Sequence, residues 1–226
     1  NENYSFNCCH LSADDHLTDT ESPELSVCML LRHNVLTEWT GFAYKAPGGR
    51  NIELGLQGKD AQLKVWLFGN EKHLPWELKS NEWSSVCLTW SGRARRLRTY
   101  INGTIMLEAP LNPSLPQRLA PNGTLTLGVS HYVDADGKVR PETSNELLGE
   151  IGLFRIWSRE WSGEELKSHS CADGDVVSWD LQENSLNYNV VFQPVLPLCT
   201  QALTQHTYCS WIPASLQLRR KSISYK

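Results

Sequence analysis

The chain has 226 residues and a formal net charge of −4, with 40% hydrophobic and 20% charged residues. This length allows one large sandwich or two small domains, and size scaling lets roughly 70% of the unfolded surface be buried. The mild acidity excludes nucleic acid as the main partner, because phosphate binding needs a clear positive excess. No apolar run approaches the roughly 20 residues that span a bilayer. The polar opening Asn1-Glu2-Asn3 shows no signal peptide, so the chain reads as a mature fragment.

Residues 1–24 are polar and read as an irregular lead-in with at most one edge strand. Leu25–Leu31 reads as a mostly buried strand, and Gly41–Tyr44 as a second that stops at Pro47-Gly48-Gly49. Ile52–Leu56 and Gln62–Phe68 alternate apolar with polar residues, the two-residue period of a half-buried strand. Ser84–Trp90 follows, and Arg96–Ile101 runs through Asn102-Gly103 into Thr104–Leu107. Asn-Gly favours a type I′ hairpin because both residues accept positive φ. Asn122-Gly123 reads as the tight turn of a second hairpin, before Thr124–Gly128. The stretch Leu147–Trp157 alternates throughout and, like Cys87–Trp90, ends in tryptophan. Ser162 with Glu165 three residues on predicts a capped helix running to about Ser170. Val176–Trp179 is a further strand; beyond Cys199 periodicity is lost and residues 200–226 read as a tail or linker. Many short strands and nine tryptophans fit an antiparallel sandwich.

Seven cysteines without a CxxC disfavour zinc-ribbon and thioredoxin-like chemistry. Sequons at Asn3, Asn102 and Asn122 favour the secretory pathway, an oxidising compartment.

The segments Cys87-Leu88-Thr89-Trp90, Gly149-Glu150-Ile151-Gly152 through Trp157, and the capped helix, in that order, resemble a pentraxin domain over residues 25–199. Pro23–Ser26, Trp39–Tyr44 and Asp173–Trp179 look similar to the pentraxin-like modules of adhesion G-protein-coupled receptors. The resemblance implies an all-β, two-sheet antiparallel jelly roll with one short helix, and disulfides Cys28–Cys87 and Cys171–Cys199; the Cys28–Cys87 link is expected to pin the two layers of strands. Ser85 and Gly92 replace two positions of the family signature. Cys8, Cys9 and Cys209 remain; one adjacent thiol reaching Cys209 would leave the other to bridge a partner chain, as in a homodimer, while a thiol left free or capped by the fragment's ends competes with that reading.

Secreted pentraxins hold paired calcium, and the resemblance maps their ligand positions onto Asn51, Glu142 and Asn145, with Asp134 and Asp136 within reach on a longer loop. Other positions are lost: Arg50 precedes Asn51, and Ser130-His131-Tyr132 stands where three ligands are expected. Calcium wants six to eight oxygens, so the expectation is a solvated acidic loop or one weakly held calcium ion, and no other cofactor. Arg93, Arg95, Arg96 and Arg98 crowd one hairpin, either as charge that blocks strand addition or as a patch for an anionic ligand. Gly128–Tyr132 lacks the second glycine of a nucleophile elbow, and Glu146 and Glu150 lack the central aspartate of sandwich glycosidases. The leading expectation is a non-enzymatic extracellular recognition module at a cell surface, binding a protein, glycan or second copy. A secreted calcium-dependent lectin and a jelly-roll carbohydrate-active enzyme are the alternatives.

Overall fold

Alternating side chains carry most of the chain into strands, and the computed structural model describes residues 8–10, 24–34, 37–59, 62–112, 114, 118–169, 172–178 and 209–211. In chain order the strands are β1 (Cys8–His10), β2 (Glu24–His33), β3 (Trp39–Lys45), β4 (Leu54–Lys59), β5 (Gln62–Leu67), β6 (Asn70–Leu74), β7 (Ser84–Ser91) and β8 (Arg96–Ile101). They continue as β9 (Thr104–Pro110), β10 (Thr124–Leu127), β11 (Ser130–Val133), β12 (Val139–Glu142), β13 (Gly149–Trp157), β14 (Val177–Ser178) and β15 (Cys209–Trp211). The helix α1 (Gly163–His169) lies between β13 and β14. One six-stranded sheet runs β1-β10-β3-β4-β5-β6 and a seven-stranded sheet runs β14-β13-β2-β7-β8-β9, with β15 on β13. Among the described residues every pairing is antiparallel, and β11–β12 forms its own hairpin. The described residues form a two-sheet antiparallel sandwich with one short α-helix.

The inter-sheet layer takes every second side chain. Val27, Met29 and Leu31 from β2 meet Val86, Leu88 and Trp90 from β7, while Phe42, Leu54, Leu56, Val65 and Leu125 close the layer from the other sheet. Full burial of each such side chain contributes about 1.5–3 kcal/mol. Phe42 and Phe154 meet edge-on across the layer, with ring centroids 5.2 Å apart.

The intervening residues of β2 and β7 face outward, and there Cys28 and Cys87 stand directly opposite and form a disulfide. The bridge ties neighbouring strands of one sheet. It does not clamp the two layers together, because residues of odd and even number on a strand point to opposite faces.

Four other expectations need revision. Alternation along β13 slips at a bulge between Gly152 and Arg155, where Leu153 takes φ +48°, so Ile151 and then Phe154 and Ile156 enter the core. Asn122-Gly123 does not close a hairpin; it ends the crossing from β9 in one sheet to β10 in the other. The strand expected from Ile52 starts at Leu54, with Ile52 buried against Gly55, where a Cβ would lie 2.7 Å from its Cγ2. Residues 209–211, within the stretch read as tail, pair with β13. The lead-in contributes edge strand β1 on β10.

Candidate functional site

Side chains that alternate with the core of the six-stranded sheet form its outer face. Register places Thr124 beside Lys45, the row Thr126, Ala43, Gly55, Trp66 and Glu71, and the row Thr40, Gln57, Lys64 and His73. A polar ladder crosses these rows. The Trp66 indole N–H donates to Gln57 Oε1 at 3.2 Å, and Gln57 Nε2 donates to Thr40 Oγ1 at 3.2 Å. Glu71 accepts from Lys64 at 3.3 Å and contacts His73. Such a face is polar yet internally satisfied, so buried groups such as Gln57 and Thr40 carry little desolvation cost.

The β11–β12 hairpin folds against this face. Lys45, 3% exposed, donates from Nζ to the His131 carbonyl and lies 3.4 Å from Glu142 Oε2. His131 Nδ1 lies 3.1 Å from Thr126 Oγ1. At the hairpin turn Asp134 Oδ1 accepts the Asp136 and Lys138 amides at 3.0 and 2.8 Å, and Oδ2 accepts Arg140 Nε at 2.7 Å. The Arg140 hydrogen bond, then the two amides, holds the Asp134 carboxyl below the usual carboxylate range. Beyond the hairpin, Tyr132 and Val133 are exposed.

Of the expected calcium ligands, Glu142 thus faces a lysine and Asp134 an arginine. Asp136 and Asn51 are exposed, and Asn145 sits in a 3₁₀ turn (Thr143–Asn145). Among the described residues, no three His, Cys, Asp or Glu side chains converge as a metal cage. The residues present do not fit a calcium site of six or more oxygens.

The arginine cluster divides. Arg98 Nε donates to Glu108 Oε2 at 2.7 Å and its guanidinium lies 3.4 Å from Glu160 Oε1, while Arg96 lies 4.0 Å from both carboxylates. The Arg98 hydrogen bond pulls the Glu108 carboxyl down. Arg96 and Arg98 sit on β8, inside the edge strand β9, so their charge does not guard an edge. Arg93 and Arg95 are exposed on the β7–β8 turn.

The disulfide side differs in kind. Cys28, Cys87, Tyr100, Trp157, Trp161 and Leu166 form a second apolar cluster beneath α1. Trp157 and Trp161 pack with centroids 4.6 Å apart, and Arg159 lies over Trp161. Ser26 Oγ accepts the Trp161 amide at 2.9 Å and donates to the Arg159 carbonyl at 2.7 Å. The capping box closes both ways: Glu165 N to Ser162 Oγ at 3.3 Å, and Ser162 N to Glu165 Oε2 at 2.8 Å.

Asn102 and Gly103 take φ +51° and +74° at the exposed β8–β9 tip, and Asn102 Oδ1 accepts the Ser85 amide at 2.9 Å. Asn122 is exposed, and the next amide, Gly123 N, donates to Tyr44 Oη at 3.0 Å. Asn3, Cys171 and Cys199 lie outside the described residues. So do the side chains of Cys8, Cys9 and Cys209, whose backbones fall on β1 and β15.

Residues 9–167 match the family model of the concanavalin A-like lectin/glucanases superfamily. The chain belongs to this superfamily. Within it, the chain is 30% identical over 146 residues to adhesion G-protein coupled receptor G4 of Homo sapiens, covering 63% of this chain and 4% of the receptor. It is 26% identical over 164 residues to neuronal pentraxin-1 of Rattus norvegicus, covering 68% of this chain and 36% of that protein. The chain therefore spans a small part of each of these longer relatives. Among solved structures, the native heptameric SAP-like pentraxin from Limulus polyphemus superposes with a TM-score of 0.57 at 17% identity, covering 79% of this chain and 84% of that one. That likeness concerns the fold alone.

Sequence reasoning passed over Lys45 and the Thr40–Gln57–Trp66 ladder. A lysine closing a strand ordinarily reads as a solvent-facing end, and its carboxylate partner lies 97 positions away. The repeated alternation of Thr40, Gln57 and Lys64 with core residues was the available signal.

Proposed function

We propose that this member of the concanavalin A-like superfamily is an extracellular, non-enzymatic recognition module of an adhesion G-protein-coupled receptor. The observation that carries the reading is 30% identity over 146 residues to a receptor of that class. The disulfide between Cys28 and Cys87 supports an oxidising compartment. Among the described residues no helix is long and apolar enough to cross a membrane; attachment would come from another part of the full-length receptor.

The carboxylates that an enzyme reading would need point the same way. Glu150 is engaged by Arg32, and no aspartate lies between Glu146 and Glu150 in the sequence. The polar, self-satisfied face of the six-stranded sheet and the projecting β11–β12 hairpin suit docking of a protein or glycan better than bond cleavage.

The test is binding of multimerised residues 1–226 to cells and to immobilised matrix proteins and polysaccharides. Saturable binding without hydrolysis of the polysaccharides is the expected result. Hydrolysis, or an absence of saturable binding to every surface, overturns the reading.

A further inference from the structure

The β11–β12 hairpin offers oxygens of the kind that hold divalent cations, yet a cation of the chain's own already occupies them. Lys45 reaches this place from β3 with its side chain 4% exposed. Its ammonium is bonded to a backbone carbonyl, that of His131, and to a carboxylate, that of Glu142. The two oxygens come from opposite strands of the hairpin, since Ser130 pairs with Glu142 and His131 with Pro141. One carbonyl and one carboxylate at hydrogen-bond range make a pair of hard oxygens that a calcium ion would otherwise share. A divalent ion among the same oxygens would meet the buried ammonium at close range, where like charges repel.

The geometry around this contact is built to hold it. His131 is 2% exposed, its ring nitrogen is tied to Thr126, and the Thr126 hydroxyl lies 2.6 Å from the Val129 carbonyl. At the far end of the hairpin Arg140 plays the matching part for Asp134. Both carboxylates that would have served a metal are therefore neutralised from within. A buried ammonium is tolerated only when paired and hydrogen-bonded, so the lysine requires its two acceptors.

We propose that Lys45 is the resident cation of this hairpin. Its ammonium holds β11–β12 on the face of the six-stranded sheet in the role a divalent metal would fill, and the hairpin is ordered without calcium. This holds whatever ligand the module recognises.

Hydrogen exchange of residues 130–142 in the intact 226-residue chain tests it, with calcium chloride and then EGTA as the only variables. Protection in the wild type should be the same in both. Lys45→Met should lower protection of the hairpin by about tenfold or more, the scale of losing charge-assisted hydrogen bonds, while residues 84–101 keep theirs. Lys45→Arg, which keeps the charge, should retain most of the hairpin's protection. Calcium-dependent protection in the wild-type hairpin overturns the proposal, as does unchanged hairpin protection in Lys45→Met. Should Lys45→Met fail to fold, the wild-type calcium and EGTA measurements decide alone.

Discussion

The two outer faces of the sandwich solve the same problem with opposite chemistry. On the seven-stranded sheet part of the face is apolar: a disulfide, Tyr100 and two tilted tryptophans pack against Leu166 of α1. On the six-stranded sheet the face is polar: Thr40, Gln57, Trp66, Lys45 and Glu142 satisfy one another. The first gains free energy from buried area and from cross-linking. The second gains little stability, because its hydrogen bonds replace equally good bonds to water. The apolar cluster thereby holds the fold, and the polar face adds little to its stability.

The comparison breaks most visibly at the disulfide. Replacing Cys28 and Cys87 together by alanine should cost about 2–4 kcal/mol, read as a lowered urea midpoint. Backbone amide shifts around Gln57 and Trp66 should stay in place. Large shifts there would show that the faces are not separate. Next in size, Leu166→Ala should cost about 2–4 kcal/mol through the cavity left beneath α1. Gln57→Leu at a similarly buried position should cost less, about 1–3 kcal/mol, the scale of leaving the Thr40 hydroxyl and the Trp66 indole N–H without their partner. Urea melts of both variants check the ordering.

A smaller effect tests the helix that covers the apolar face. Ser162→Ala should cost about 1 kcal/mol by removing the acceptor for the Glu165 amide. The Ser162 amide, then the Ser162 hydroxyl and Arg159, lowers the Glu165 carboxyl below its ordinary value. A depressed folded value means the contribution is present above the unfolded pKa and lost as pH falls through the folded one. Acid melts of wild type should therefore lose this contribution below the ordinary glutamate range, and Ser162→Ala should show a shallower acid limb. Glu146 has the opposite sign. Burial raises its carboxyl, so its contribution is full below the unfolded pKa and lost as pH rises through the folded value. Glu146→Gln should slightly raise the melting temperature at neutral pH, with the gain vanishing in acid.

The smallest expected effect concerns anion binding. Arg93→Ala with Arg95→Ala should reduce heparin retention more than Arg96→Ala with Arg98→Ala, because Glu108 and Glu160 already neutralise the latter pair. Equal losses from both pairs would return all four arginines to one patch.

Much of this architecture was legible because it is local. Strand alternation, the Asn102-Gly103 turn and the Ser162/Glu165 cap depend on neighbours within a few residues, and each forms. Resemblance across the domain placed the cysteines, and the register of β2 on β7 decided what they join. The slip at Leu153 was hidden, since Gly-Leu-Phe-Arg-Ile reads equally well in either phase. The candidate site was legible only in part. Glu142 and Asp134 could be named as acidic groups, whereas their partners depend on how the hairpin packs.

By itself the sequence determined an antiparallel sandwich with one capped helix, because hydrophobic period, turn chemistry and caps act over short distances, while the disulfide came with the family resemblance. Only the tertiary structure decided that the bridge lies within a single sheet and that Lys45 meets Glu142. Charge pairing between remote segments is fixed by packing, and packing leaves no trace in the spacing of residues along the chain.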